Sequence, residues 1–289
     1  MTSMWNHLQG LAFRQNYIDV QGCMIRAIEA GEGPPLILLH GTGGHAEAYI
    51  KNIRAHAAHF HVYAIDMIGH GYSSAPDIDY DMQTYVDFMR DFLDAIGAER
   101  AYISGESLGA SVAAWFAIQH PHRVTKIVMN TGTLLPPDEA GAKDLRELLE
   151  RSKRAAGEPS LDTVRQRMRW LVHDENSLTD ELIEARYRIY SQPGRAAILG
   201  GITARSLGAL LDPEEQRKWY SAVLLQQIQC PTLMLWTRYN PGQSVELAQE
   251  SLLSIPDGEL ALLEHSGHWP QWEEPREFDR LHLQFLLKP

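Results

Sequence analysis

Between residues 101 and 119 an apolar run, AYIS, ends in Gly105-Glu106-Ser107-Leu108-Gly109, and a second apolar run begins at once at Leu108. A strand that hands over to a helix within three residues needs a sharp turn, and Gly105 and Gly109 lack the side chains that would obstruct it. A strand and a helix that are both apolar must also be covered by neighbouring layers. The chain has the material for this, with 44% hydrophobic residues in 289.

The flanking segments read the same way. Residues 17–29 form two strands around Gln21-Gly22, and LILL (36–39) and VYAID (62–66) follow as strands. Apolar residues at Tyr85, Phe88, Met89, Phe92, Leu93 and Ile96 fall on one helical face, with Gly97 as a stop. A strand is expected at 101–104, a helix at 108–119 and a strand at 126–130. After Gly132 the texture changes. From Pro136 to about Gln227 only charged helical segments occur, broken at Gly157-Glu158-Pro159, Gln192-Pro193-Gly194 and Asp212-Pro213. Strand and helix alternation resumes with TLMLW (232–236), a helix at 245–253, a strand at 259–263 and a last helix ending near Leu287. This pattern predicts an α/β chain, a mostly parallel doubly wound sheet formed by residues 1–133 and 228–289, with 134–227 inserted as a helical cap.

The composition narrows function. A net charge of −11 leaves no basic stripe for a nucleic acid and no cationic run for an anionic membrane surface. The segment MTSMWNHLQG lacks the basic flank and apolar run of a secretory signal, and no apolar stretch reaches the ~18 residues of a membrane span. A soluble, cytoplasmic protein acting on a small molecule is expected. Cys23 and Cys230 lie in apolar segments without metal-type or CxxC spacing and are expected to be buried thiols.

A serine on such a strand-to-helix elbow is held exposed above the sheet, but its hydroxyl is a weak nucleophile until a base removes its proton. The base is expected late in the chain. His268, in HSGHWP after the last predicted strand, meets that requirement; His265 shares the loop and is its rival, and most of the other histidines, such as His56, His59 and His61, read as surface residues. The oxyanion formed on attack needs preorganised donors. The amide of Leu108 supplies one, and LLHGTGGH (38–45) supplies the second through the amide of Thr42, with Gly41, Gly43 and Gly44 allowing a substrate close approach. No metal or organic cofactor is implied.

HGTGG, the turn DMIGHGYS (66–73), GESLG and SGHWP together resemble the α/β-hydrolase superfamily over essentially the whole chain. Within it, SGHWPQWEEPREFDRLHLQFL and the cap segment ELIEARYRIYSQPG resemble the meta-cleavage product hydrolases, which cut carbon–carbon bonds in ring-fission products of aromatic degradation. The resemblance implies an α/β-hydrolase fold, an arginine at position 186 that holds a dienoate carboxylate or its enolate, a tryptophan at 269 beside the catalytic histidine, and a possible homodimer. A long side chain on an amphipathic helix can equally be a solvated surface charge.

Three positions depart from that pattern. The superfamily places an aspartate after the strand read as TLMLW, whereas LWTRYNPGQSVE offers Asn240 and no carboxylate before Val245. An asparagine can accept a hydrogen bond from the histidine but brings no negative charge, and an Asp-to-Asn change in a serine protease costs about 10⁴-fold in turnover. The chain is then a weakened variant, or uses another acid such as Glu106, Glu246 or Glu264, or needs only an oriented neutral histidine. Gly44-His45 replaces the usual Pro-Gly, and Glu106 replaces the usual asparagine before the serine. A carboxylate there repels an anionic substrate if it faces the pocket. The sequence therefore supports a serine-dependent hydrolase acting on a C–C bond of a dienone-type product, with a carboxylesterase or lactonase and a receptor-like ligand binder as alternatives.

Overall fold

The computed structural model describes residues 3–289. Eight strands form one sheet: β1 (Phe13–Val20), β2 (Cys23–Ala30), β3 (Pro35–Leu39), β4 (His61–Ile65), β5 (Ala101–Glu106), β6 (Val124–Asn130), β7 (Thr232–Thr237) and β8 (Gly258–Leu263), in the order β1-β2-β4-β3-β5-β6-β7-β8. β2 runs antiparallel to β1 and β4, and the remaining pairs are parallel. The first hairpin turns on Gln21 and Gly22, both at positive φ, which matches the right-handed twist of the flanking strands.

Helices α1 (Ile53–His56), α2 (Met82–Ala95), α3 (Leu108–Gln119), α10 (Val245–Leu252), α11 (Pro270–Glu273) and α12 (Pro275–Leu286) accompany the sheet. Side chains alternate across each strand. Ile37, Leu39 and Ile65 therefore pack with α2 and α3 on one face, and Leu36, Leu38 and Ala64 pack with α1 and α12 on the other. Helix α3 is buried on every side from Leu108 to Ala117, which is why its sequence shows no polar stripe. Between β6 and β7 the chain is helical: α4 (Glu139–Gly157), α5 (Leu161–Met168), α6 (Asp180–Tyr190), α7 (Arg195–Ala209), α8 (Pro213–Trp219) and α9 (Ala222–Leu225). Side chains of Asp138, Ser160, Thr179 and Asp212 cap four of them.

Helix α7 is tied to the turn after β4, where Arg195 donates to the carbonyls of Gly69 (3.0 Å) and Ser73 (3.3 Å). Tyr190 donates to the Gly43 carbonyl at 3.1 Å. These bonds fix the helical segment over the carboxyl edge of the sheet. In that edge β3 lies between β4 and β5, so the strand order reverses there and the loops after β3 and β5 open a crevice between them.

Two expectations are corrected. His56 is fully buried rather than on the surface. It sits where α1 meets α12, and both ring nitrogens have partners: Nδ1 donates to the Asn52 carbonyl (2.8 Å), and Nε2 lies 2.9 Å from His282 Nδ1. Burial pushes it down to about 4, so it stays neutral. Cys23 is only half-buried because it starts β2 beside the hairpin turn, whereas Cys230 is buried. Among the described residues no helix is long and apolar enough to cross a membrane.

Candidate active site

Ser107 stands at the end of β5 with φ 55° and ψ −113°, a strained conformation for a residue with a side chain. The turn is held from both sides. The Ser107 amide donates to the Asn130 carbonyl at 3.0 Å, and the Ala110 amide donates to the Ser107 carbonyl at 3.0 Å. A Cβ on Gly105 would come within 2.0 Å of the Gly109 backbone, and one on Gly109 within 2.5 Å of the Leu39 carbonyl. The glycines of the motif are thus dictated by backbone crossing backbone.

His268 lies in the loop between β8 and α11 and is buried, whereas His265 is exposed. Carboxylates clamp that loop. Glu273 accepts the amides of Gly267 (2.7 Å), His173 (2.8 Å) and Asp174 (2.9 Å), and Glu274 accepts the Ser266 hydroxyl (2.5 Å). Burial raises the Glu273 carboxyl above its ordinary value. The edge of Trp170 packs on the imidazole, with ring centroids 4.8 Å apart.

The Asn240 amide donates through Nδ2 to the Gln243 carbonyl at 2.8 Å, which turns Oδ1 toward His268. His268 Nδ1–H donates to that oxygen at 2.6 Å. An amide oxygen held in this way fixes the orientation of the imidazole and brings no negative charge to it. Of the alternative acids, Glu246 is exposed, and Glu264 is exposed and paired with Arg238 at 3.0 Å. Glu106 is different. It is buried, with Oε1 3.1 Å from His268 Nε2 and Oε2 accepting the Gly41 amide at 2.6 Å.

Two small cavities meet at Ser107. One, of about 20 Å³, is lined by Thr42, Ser107, Leu108, Ser111, Tyr220 and Gln243 among others. The second, of about 10 Å³, is lined by Gly41, Thr42, Gly44, Glu106, Ser107, Arg167, Trp170, Arg186, His268 and Trp269 among others. Each has room for about one water. Gly43 lines neither, because its φ of +69° turns it toward Tyr190, whose hydroxyl would lie 2.4 Å from a Cβ there. His40 shapes the same loop: its Nε2 accepts the Met67 amide (3.1 Å), its Nδ1 donates to the Gly41 carbonyl (2.8 Å), and burial pushes it down to about 3.

Arg186, on α6, is fully buried, with its guanidinium 5.1 Å over the Trp269 ring. Its Nε, Nη1 and Nη2 have no partner among the described residues. Arg167, on α5, was not singled out from the sequence. It is equally buried, with Nη2 donating to the Thr42 carbonyl at 3.2 Å and Nε and Nη1 unpartnered. Burial lowers both guanidiniums, Arg167 to about 10. A signal was present, since Val164, Met168 and Leu171 fall at the i−3, i+1 and i+4 positions of Arg167 and mark it as standing on the apolar face. Two desolvated cations facing one cavity over Glu106 leave it with a positive excess.

The family model for the alpha/beta hydrolase fold matches residues 34–275. The chain belongs to the α/β-hydrolase family. It is 30% identical to the 2-hydroxy-6-oxo-6-phenylhexa-2,4-dienoate hydrolase of Comamonas testosteroni, with 93% of each chain covered. It is also 30% identical to a 2-hydroxy-6-oxononadienedioate/2-hydroxy-6-oxononatrienedioate hydrolase of Pseudomonas putida, with 94% of each covered. Among solved structures, the meta-cleavage product hydrolase from Pseudomonas fluorescens IP01 complexed with acetates superposes with a TM-score of 0.78 at 25% identity, covering 94% of this chain and 97% of the other. The chain is a hydrolase, and its similarity to the meta-cleavage product hydrolases extends over nearly its whole length.

Proposed function

We propose that this hydrolase cleaves a carbon–carbon bond in a carboxylate-bearing dienone of the meta-cleavage type, with Ser107 as nucleophile and His268 as base. The observation that carries the reading is the pair Arg167 and Arg186, which line the cavity shared by Ser107 and His268 and together hold five guanidinium nitrogens with no partner among the described residues. A buried cation without a partner is costly, so the site is built for an anion to complete it. A neutral ester gives these arginines nothing to bind. Relatives named as dienoate hydrolases act on ligands with the required charge.

In this reading His268 Nε2 accepts the Ser107 hydroxyl proton as Oγ adds to the ketone carbonyl, and the amides of Thr42 and Leu108 hold the resulting oxyanion. The C–C bond then breaks, and the departing carbon takes the proton from His268. Water, deprotonated by His268, cleaves the acyl-serine to release the carboxylic acid. In the variant in which water attacks the ketone directly, His268 serves as its base. Arg186, stacked on Trp269, holds the dienoate carboxylate, and residues 134–227 act as a cap that selects the remaining side chain. Glu106 faces the pocket as a repelling carboxylate, but two guanidiniums outweigh it.

Loss of dienone absorbance on a panel of 2-hydroxy-6-oxo-dienoates tests the activity. Turnover is expected for at least one member, and Ser107→Ala is expected to lower kcat by about 10⁴-fold or more. No decay across the panel, with an activated ester still hydrolysed, would overturn C–C cleavage in favour of an esterase.

A further inference from the structure

His268 carries an amide on one side and a carboxylate on the other. Asn240, pinned through its Nδ2, presents only an oxygen dipole to Nδ1. The full negative charge at the imidazole comes from Glu106, 3.1 Å from Nε2. We propose that Glu106 is the charge-bearing partner of His268, stabilising the imidazolium from the Nε2 side in place of a triad acid on the Nδ1 side. This inference rests on the assignment of Ser107 and His268 as nucleophile and base.

Three features support it. Glu106 is only 2% exposed, so its charge is little screened by solvent. It cannot swing away freely, because Oε2 accepts the Gly41 amide at 2.6 Å and a mere Cβ on Gly41 would strike that oxygen. The position is also the one the reaction needs. When Ser107 gives its proton to Nε2, the nitrogen that receives it is the one 3.1 Å from Glu106, and an opposite charge within about 4–6 Å favours that form. The proton is later passed from Nε2 to the leaving group. Arg167 and Arg186 line the same cavity as Glu106 and His268.

The test separates charge from packing. Glu106→Gln keeps an oxygen for the Gly41 amide and removes the charge, and Glu106→Gln with Asn240→Asp returns one carboxylate to the other ring nitrogen. The readouts are the rate of Ser107 labelling by a fluorophosphonate, kcat/KM on p-nitrophenyl acetate and on the dienoate panel, and thermal unfolding to verify folding. Glu106→Gln is expected to slow labelling and kcat/KM by about 10²-fold or more, and the double variant to recover to within about tenfold of the parent. A merely structural Glu106 predicts no rescue. A folded Glu106→Gln within about threefold of the parent, or a double variant no faster than Glu106→Gln, overturns the proposal. Parent turnover of the ester but not of the dienoates removes the C–C reading and leaves this one to be decided on the ester and labelling rates. A parent chain inert to all three overturns both.

Discussion

At Arg186 stability and function pull in opposite directions. Its guanidinium is desolvated by burial on α6, with no hydrogen-bond partner among the described residues, and Glu106 and Tyr190 offset that only through space. Leaving a buried charged donor unsatisfied costs about 1–3 kcal/mol, whereas a methionine of similar length fills the same space without that penalty. Arg186→Met is therefore expected to unfold at a higher temperature, with a gain of about 1–3 kcal/mol, and to raise KM for a dienoate by about 30-fold or more while leaving KM for a neutral ester nearly unchanged. Arg167→Met is expected to move both quantities in the same direction, less strongly because its Nη2 already has the Thr42 carbonyl. Thermal melts and steady-state kinetics on the two substrates check this. A destabilised Arg186→Met with unaltered dienoate KM would make the residue structural.

Among the elements, the packing of α12 against α1 and β5 is held by an ordered polar chain. His56 Nδ1 donates to the Asn52 carbonyl, His56 Nε2 accepts from His282 Nδ1, and His282 Nε2 accepts the Ser104 hydroxyl at 2.8 Å. Each imidazole is thereby complete in its neutral form. Beside them Asp279 accepts Asn52 Nδ2 at 2.8 Å, and burial raises its carboxyl from 3.8 to about 7. A carboxyl whose value rises on folding is held more tightly as the acid. Its stabilising effect is complete below about 4 and is lost as pH rises toward 7. The loss amounts to roughly 4 kcal/mol at most, at 1.36 kcal/mol per unit. Asp279→Asn keeps the bond from Asn52 and cannot ionise, so it is expected to exceed the parent in stability at pH 8 and to match it at pH 4, as read by urea unfolding at the two pH values. Equal stability at both would remove Asp279 as the source. The same cluster shows what sequence alone could reveal. Strand and helix alternation located every sheet strand to within a few residues, because burial on both faces leaves continuous apolar runs in β3, β5 and β7. His56 was misplaced because a histidine whose two nitrogens are satisfied by partners far along the chain looks polar in its own segment. Glu106 posed the same difficulty. Its identity and its place beside the serine were plain, but the direction of a side chain at a strained strand end is set by the turn, and its partners Gly41 and His268 come from loops after β3 and β8.

For the molecule as a whole, the charge distribution conflicts with the charge of the proposed substrate. The chain carries a formal −11, while the cations of the site are two arginines enclosed between the sheet edge and the helices above it. An approaching dienoate meets the net field first, and that field repels it. The attractive guanidiniums act only at short range, inside the cavity. Screening weakens the long-range term, with a Debye length of about 30 Å at 0.01 M salt and about 8 Å at 0.15 M, and leaves a buried contact nearly untouched. kcat/KM for a dianionic dienoate is therefore expected to rise several-fold across that salt range, and for a monoanion by less. A neutral activated ester should show almost no change, which controls for effects of salt on the protein itself. The measurement is initial rate at low substrate concentration against ionic strength for the three ligands. A fall in kcat/KM for the dianion would mean that the arginines project their field beyond the cavity and steer the substrate inward, in spite of the negative surface around them.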